Sequence, residues 1–281
     1  MDDKPFFQHD TVSVHVLENA SVGTNITQVS ALDKDIGDFL SYSILSGDLY
    51  RQFDIGNSTG IVSLLQRLDR ENSSQHELYI QASDSINLKS NRLKLVVDVD
   101  DVNDNAPEFT QSHFVEDYRE QSPAGTSIIT VKAHDLDHGI NAKVVYSIAE
   151  NIPGTNVSDF VQINPQTGLV LQGVKEFDRE ASTAFNFTVY AKDSGKPSLS
   201  SNALVSIQLV DINDNDPKFT QAEYRASVKE NSQVGTEVLV VKANDKDSGI
   251  NAQLAYGMSG DDFKFQIDGT TVSAVIYTVW F

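Results

Sequence analysis

The residues of this chain best equipped for chemistry are carboxylates at short, recurring spacings. Asp101-Val102-Asn103-Asp104-Asn105 brings carboxylates, side-chain amides and backbone carbonyls together, and Asp211-Ile212-Asn213-Asp214-Asn215 does so again 110 residues later. Asp33 and Asp35, Asp135 and Asp137, and Asp245 and Asp247 are pairs with one residue between them. Asp69-Arg70-Glu71 returns as Asp178-Arg179-Glu180. All-oxygen groupings suit a hard divalent cation, above all calcium, which takes about six to eight oxygen ligands. Asp135 and Asp137 can converge on one ion if they lie on a turn; Gly139 fits such a turn, and the Asn141 carbonyl is a natural further ligand. A pair such as Asp178 and Glu180 is also what a hydrolase uses as acid and base. That pair repeats with each domain and no other catalytic group accompanies it, so the expectation is a structural ion and no enzyme.

Acidic loops are often simply solvated. Here five acidic blocks recur in a fixed order, and like charges gathered in this way weaken a fold unless a counter-cation offsets them. His134 and His138 flank Asp135 and Asp137, a hint of a transition metal, but they read as exposed residues beside an oxygen-only site.

The blocks define tandem domains. Glu18-Asn19-Ala20-Ser21-Val22-Gly23-Thr24 corresponds to the segments at Glu120–Thr126 and Glu230–Thr236, at offsets of 102 and then 110 residues. Between blocks the chain reads as strands. Val12, Val14 and Val16 alternate across 11–16, and 93–99, 185–190 and 204–210 are rich in β-branched and aromatic residues. Roughly seven short strands per hundred residues is the arithmetic of an antiparallel β-sandwich. The expected architecture is therefore all-β: tandem seven-stranded Greek-key sandwiches.

Composition narrows the function. With 40 Asp and Glu against 21 Lys and Arg, the formal net charge is −19, which argues against nucleic acid and anionic lipid surfaces. The absence of Cys removes disulfides, thiolate nucleophiles and Cys-based metal sites. The N-terminal residues do not read as a signal peptide, and the apolar stretch near 272–281 is too short to span a membrane.

The Glu-Asn block, Asp-x-Asp-x-Gly-x-Asn, Asp-Arg-Glu, Ala-x-Asp and Asp-x-Asn-Asp-Asn-x-Pro-x-Phe together resemble the extracellular repeats of the cadherin superfamily. The likeness covers all but about the last dozen residues. The run from Asp193 to Ser200 is closer to protocadherin and Fat-like repeats. The resemblance implies immunoglobulin-like sandwiches joined by calcium-binding linkers, with about three calcium ions per complete junction. At the first junction it implies as ligands Glu18, Asp69, Glu71, Asp101, Asn103, Asp104, Asp135, Asp137, Asp193 and the Asn141 carbonyl, with the Val102 and Asn105 carbonyls. At the second it implies Glu120, Asp178, Glu180, Asp211, Asn213, Asp214, Asp245, Asp247 and Asn251, with Ile212 and Asn215. Asp33, Asp35 and Asp84 would form a weaker site above the first repeat, where the loop is two residues shorter between Asp33 and Tyr42 than between Asp135 and Tyr146 and has Phe39 in place of Asn141.

The repeats are expected over 7–107 and 108–217, with 1–6 a remnant of an upstream linker and 218–281 a partial, truncated repeat lacking the Asp-Arg-Glu and Ala-x-Asp blocks. Val272–Phe281, if unpaired, would be an aggregation hazard. Of six Asn-x-Ser/Thr sequons, Asn25, Asn57, Asn156 and Asn186 are the glycosylation candidates; a glycan at Asn19 or Asn72 would crowd Glu18 or Glu71. The expected role is calcium-dependent adhesion by the extracellular part of a plasma-membrane protein whose signal peptide and membrane anchor lie outside this chain. Another cadherin is the expected partner, first homophilic, then heterophilic or a spacer role. Strand swapping is unsupported, because the one Trp is Trp280, and carbohydrate binding lacks an aromatic platform.

Overall fold

A computed structural model describes residues 3–34, 39–86, 88–149, 154–260, 264–267 and 273–276. Asp35 of the expected upper site lies outside the described residues. The chain divides into two compact units, residues 1–110 with 132–145 and 190–201, and residues 111–131 with 146–189 and 202–281. All the residues proposed for the first junction fall in the former, and all those proposed for the second in the latter.

The first repeat contributes seven strands: β1 (Thr11–Leu17), β2 (Asn25–Gln28), β3 (Ser41–Ser46), β4 (Phe53–Ile55), β5 (Ile61–Leu64), β6 (Gln75–Ser83) and β7 (Leu93–Asp100). They form a four-stranded sheet in the order β1-β7-β6-β3 and a three-stranded sheet in the order β2-β5-β4. Alternation makes this possible, because successive strand residues face opposite sides. Leu78, Ile80 and Ala82 of β6 and Leu93, Leu95, Val97 and Val99 of β7 point inward, where they meet Tyr42, Phe53, Val62 and Leu64 from the other strands. The Tyr42 hydroxyl accepts the Ala31 amide at 3.2 Å, which satisfies its polar end inside this core.

One edge departs from the expected antiparallel pairing. β1 runs parallel to β7, with Val14 opposite Val97. Parallel neighbours need a long connection, and here the rest of the repeat is that connection, since β1 and β7 are its first and last strands.

The second repeat adds β8 (Glu108–Phe109), β9 (His113–Arg119), β10 (Ser127–Thr130), β11 (Ala133–His134), β12 (Val145–Ile148), a one-turn helix α1 (Val157–Phe160), β13 (Val161–Ile163), β14 (Leu169–Gln172), β15 (Ala184–Lys192) and β16 (Ser200–Val210). Its sheets, β12-β15-β16-β9 and β10-β14-β13, repeat the arrangement of the first, down to the parallel β9–β16 pair. The helix left no periodic signal because four residues are barely one turn. Tyr118, Phe160, Phe177, Phe185 and Phe187 form a chain of ring contacts with centroids 5.1–6.1 Å apart.

In the third repeat the described strands are β17 (Lys218–Phe219), β18 (Glu237–Val240), β19 (Ala243–Asn244), β20 (Phe265–Ile267) and β21 (Ser273–Ile276). β21 pairs antiparallel with both β18 and β20, so this part of the apolar tail is hydrogen-bonded into a sheet. The segment 224–229, which aligns with β1 and β9, forms no strand. The partner of β1 and β9 is the last strand of the repeat, which has no counterpart among the described residues here.

Candidate metal centre

The first cluster is organised by Glu18, just past the end of β1. Glu18 is 4% exposed. Its Oε1 accepts the Val102 amide at 2.8 Å and its Oε2 accepts the Arg70 amide at 2.9 Å. One buried carboxylate thus holds both the Asp101–Asn105 linker and the Asp69–Glu71 turn in place. Charge-assisted bonds of this kind are about twice as strong as neutral ones.

Around it the acidic side chains converge. Ligand oxygens of Glu18, Glu71 and Asp101 lie within 4.8 Å of one another, as do those of Glu71, Asp104 and Asp137. They border a cleft of about 380 Å³ lined by Glu18, Leu68, Asp69, Glu71, Asp104, Asn105 and Leu136. Two unit negative charges at such a separation repel by about 3 kcal/mol at an effective dielectric of about 20. The strain shows in the protonation equilibria. Burial, reinforced by the charges of Glu18, Asp137, Asp69 and Asp101, pushes the Asp104 carboxyl above its ordinary value. Burial and the neighbouring Glu18 do the same to Glu71, and burial with Asp137, Asp193 and Asp101 to Asp135.

Residues 132–145 of the same compact unit supply the other wall. Asp135 Oδ1 accepts the Asp137 amide at 3.0 Å, the bond of a tight turn, and Gly139 sits in that turn with φ +63°. Asp137 Oδ1 accepts Asn105 Nδ2 at 2.8 Å. Asp101 accepts the His138 amide at 3.0 Å and Asn141 Nδ2 at 2.8 Å, so the Asn141 side chain, in addition to any role of its carbonyl, is engaged here. The His134 and His138 side chains are exposed. Asp193, 3% exposed, accepts Asn103 Nδ2 at 3.1 Å.

The second cluster repeats the first nearly bond for bond. Glu120, 1% exposed, accepts the Ile212 and Arg179 amides at 3.0 and 2.7 Å. Ligand oxygens of Glu120, Glu180 and Asp211, and of Glu180, Asp214 and Asp247, again lie within 4.8 Å of one another. Asp211 accepts the Ser248 amide and Asn251 Nδ2, Asp247 accepts Asn215 Nδ2, and Asp245 accepts the Asp247 amide. Burial and Glu120 push Glu180 and Asp214 upward. Burial would raise Asp211 too, but the Ser248 amide, Asn251 and the Arg179 guanidinium outweigh it and hold Asp211 below its ordinary value.

Asp69 and Asp178 stand at the exposed margin of these clusters, their Oδ1 atoms accepting the Asn72 and Ala181 amides. Asn213 is exposed. At the expected upper site, Asp84 is buried and its Oδ1 accepts the Ile86 and Leu88 amides. No triad of metal-ligating groups includes Asp33 or Asp84 among the described residues. The sequons at Asn25, Asn57, Asn156 and Asn186 are all accessible in part or in full, with Asn156 Nδ2 donating to Asp159 Oδ1 at 2.7 Å.

By sequence Arg70 and Arg179 can pair with the acids beside them, and the structure extends both to the opposite loop. Arg70 Nε bonds Asp101, and its Nη2 bonds Glu71 and, at 2.9 Å, the Leu136 carbonyl. Arg179 reaches Asp211, Glu180 and the Lys246 carbonyl in the same way. Each arginine offsets one charge of its cluster and ties it to the loop carrying the Asp-x-Asp pair. Their position between two acidic ligands in the sequence is the signal that points to them.

The donor set fits calcium: all oxygen, mostly anionic and from several segments, with the Asn103 Oδ1 and Asp135 Oδ2 atoms buried and without a hydrogen-bond partner. Among the described residues no helix is long and apolar enough to cross a membrane.

Comparison with known proteins agrees with this geometry. The cadherin domain model matches residues 12–100, 114–210 and 224–280. The chain is 36% identical over 276 residues to the protocadherin-like wing polarity protein stan of Drosophila melanogaster, covering 96% of this chain and 8% of that protein. It is 35% identical to human protocadherin alpha-1 over 263 residues, covering 92% of this chain and 27% of that protein. It therefore spans only a small part of the relatives it matches. Among solved structures, human CDH23 EC21-23 superposes with a TM-score of 0.80 at 32% identity, covering 99% of this chain and 91% of that one. Cadherin domains 3–6 of protocadherin gamma B2 give 0.80 at 28% identity, covering 93% and 66%. Cadherin repeats are adhesive and structural modules and not enzymes, so Asp178 and Glu180 are not a hydrolase's acid and base. With the repeated acidic blocks, the seven-stranded sandwiches and these matches in agreement, the chain belongs to the cadherin family.

Proposed function

We propose that this chain is a segment of an extracellular adhesive ectodomain whose inter-repeat joints are made rigid by calcium, and that it binds a second copy of its parent protein. The repeats extend over 7–107 and 108–217, with a partial repeat over 218–281. Cadherin domains are in general calcium-binding, and acidic clusters are present here. The observation that carries the reading is the duplication: Glu71, Asp104 and Asp137 converge within 4.8 Å, and so do Glu180, Asp214 and Asp247. A mutually repulsive constellation built twice needs a counter-cation at both places.

Eight carboxylates gather at the first joint, from Glu18, Asp69, Glu71, Asp101, Asp104, Asp135, Asp137 and Asp193. About three calcium ions would balance six of those charges, with Arg70 supplying a seventh. Asn103 and the Val102, Asn105 and Asn141 carbonyls complete the ligand set. The second joint uses Glu120, Asp178, Glu180, Asp211, Asn213, Asp214, Asp245, Asp247 and Asn251 with the carbonyls of Ile212 and Asn215.

Beads coated with the chain and carrying two different labels test the adhesive reading. Mixed aggregates that form in millimolar calcium and disperse in chelator support homophilic binding. Calcium binding without aggregation would leave the spacer or heterophilic role in its place. Small-angle scattering in calcium and in chelator tests the rigid joint separately, since an unchanged profile would remove it.

A further inference from the structure

The first linker carries one contact that the second does not show among the described residues. Asn103 Nδ2 donates to the Pro197 carbonyl at 2.6 Å and to Asp193 Oδ2 at 3.1 Å, while Asn103 Oδ1 is buried with no hydrogen-bond partner. The amide group lies directly against the α-carbon of Gly195. A Cβ built there would come within 2.3 Å of Asn103 Cγ and 2.4 Å of Oδ1. The backbone of Gly195 is outside the left-handed region, so what this position requires is space and not conformational freedom.

Two internal comparisons show that this contact is specific. Asn213, in the same place in the second linker, is exposed. In the first repeat the corresponding loop is two residues shorter, closing from the Asp84 amide to the Leu88 carbonyl where the second repeat closes from Asp193 to Leu199. It has Ile86 at the position of Gly195.

We propose that Gly195 is a positioning residue. It leaves a notch in the 193–199 loop into which the Asn103 amide fits, and the Pro197 carbonyl and the Asp193 carboxylate then hold that amide by its nitrogen, leaving its buried Oδ1 without a protein partner. The inference rests on the calcium reading above and adds that this loop, by the residue at 195, decides whether the linker asparagine is a preorganised ligand. The atoms that a methyl group at position 195 would strike belong to the end of a short side chain, so Gly195→Ala moves Asn103 and leaves the surrounding strands in place.

The test is a double-mutant cycle on the whole chain with Gly195→Ala, Asn103→Ala and both together. Two readouts are taken: calcium titration by calorimetry, and thermal unfolding in chelator. Gly195→Ala is expected to weaken one calcium site about tenfold, as loss of an orienting partner does, and to have no further effect once Asn103 is replaced by alanine. In chelator, any loss of unfolding temperature caused by Gly195→Ala should disappear in the double variant, because Asn103→Ala removes the clashing atoms. Wild-type affinity in Gly195→Ala, or an effect that adds in full to that of Asn103→Ala, overturns the proposal. A wild-type chain that binds no calcium overturns the calcium reading and the positioning role for an ion with it, while the chelator melts still report whether the notch holds the amide.

Discussion

Glu18 reaches across 84 residues of sequence to accept the Val102 amide at 2.8 Å, and Glu120 does the same for Ile212 at 3.0 Å. Each glutamate lies just past the end of β1 or β9 and takes an amide that follows the strand paired with it, β7 or β16. The acidic cluster is therefore anchored in protein hydrogen bonds that need no metal.

Glu120→Ala leaves two amides, those of Ile212 and Arg179, without their acceptor. At about 1–3 kcal/mol for each buried group left unsatisfied, the expected loss is about 3 kcal/mol. Glu120→Gln keeps one acceptor oxygen and should lose less than half of that. Urea unfolding in chelator measures both, and equal losses would show that the charge, not the pair of hydrogen bonds, matters.

Asp104→Ala should act in opposite directions with and without metal. In chelator it removes a carboxylate held up by burial and four acidic neighbours, so the unfolding temperature should rise slightly. In calcium it removes a ligand, and the temperature should fall below wild type. A loss in both solutions would mean that the bond from Asn105 Nδ2 to Asp104 Oδ1 at 2.9 Å outweighs the relief of repulsion.

Arg70→Met withdraws a cation that bonds Asp101, Glu71 and the Leu136 carbonyl. In chelator the cost is expected to be about 2 kcal/mol, from charged hydrogen bonds lost at a largely buried site. Saturating calcium should recover part of it, because the ion supplies the missing positive charge. Melting curves across a calcium series make the comparison, and a calcium-independent loss would contradict the account.

The pH dependence should change sign with metal. Glu71, Asp104, Asp135, Glu180 and Asp214 are raised. A carboxyl with a higher value folded than unfolded binds its proton more tightly in the fold, so metal-free stability falls as pH rises through and just above the ordinary carboxylate range of about 4. Asp211 and, through its Lys175 partner, Asp159 are lowered and pull the other way, as two groups against five. In calcium the ligands must be deprotonated, so stability should instead fall as pH drops through the same window. Unfolding temperatures from about pH 4 to 7, with and without calcium, give the two slopes.

Much of this molecule was legible in one dimension. The tandem repeats could be read from matching blocks, strand 11–16 from local alternation, and strands 93–99, 185–190 and 204–210 from their β-branched and aromatic residues, because the preferences of a strand are written directly in consecutive residues. The seven-stranded sandwich followed from strand count, and the oxygen-rich blocks pointed to their ion by residue type. The parallel pairing of β1 with β7 was not legible, since residues more than eighty positions apart meet through packing and not through any local pattern. Nor were the bonds of Arg70 and Arg179 to the opposite loops, which exist only once the linker and the Asp-x-Asp turn are in register. The fit of Asn103 against Gly195 belongs to the same class: composition shows an asparagine and a glycine, and only tertiary structure shows that the space left by the missing Cβ is occupied. Sequence thus determined the kinds of groups present and their order, because these depend on near neighbours. Folding decided which of them touch, because close packing and buried hydrogen bonds are set by distances between segments far apart in the chain.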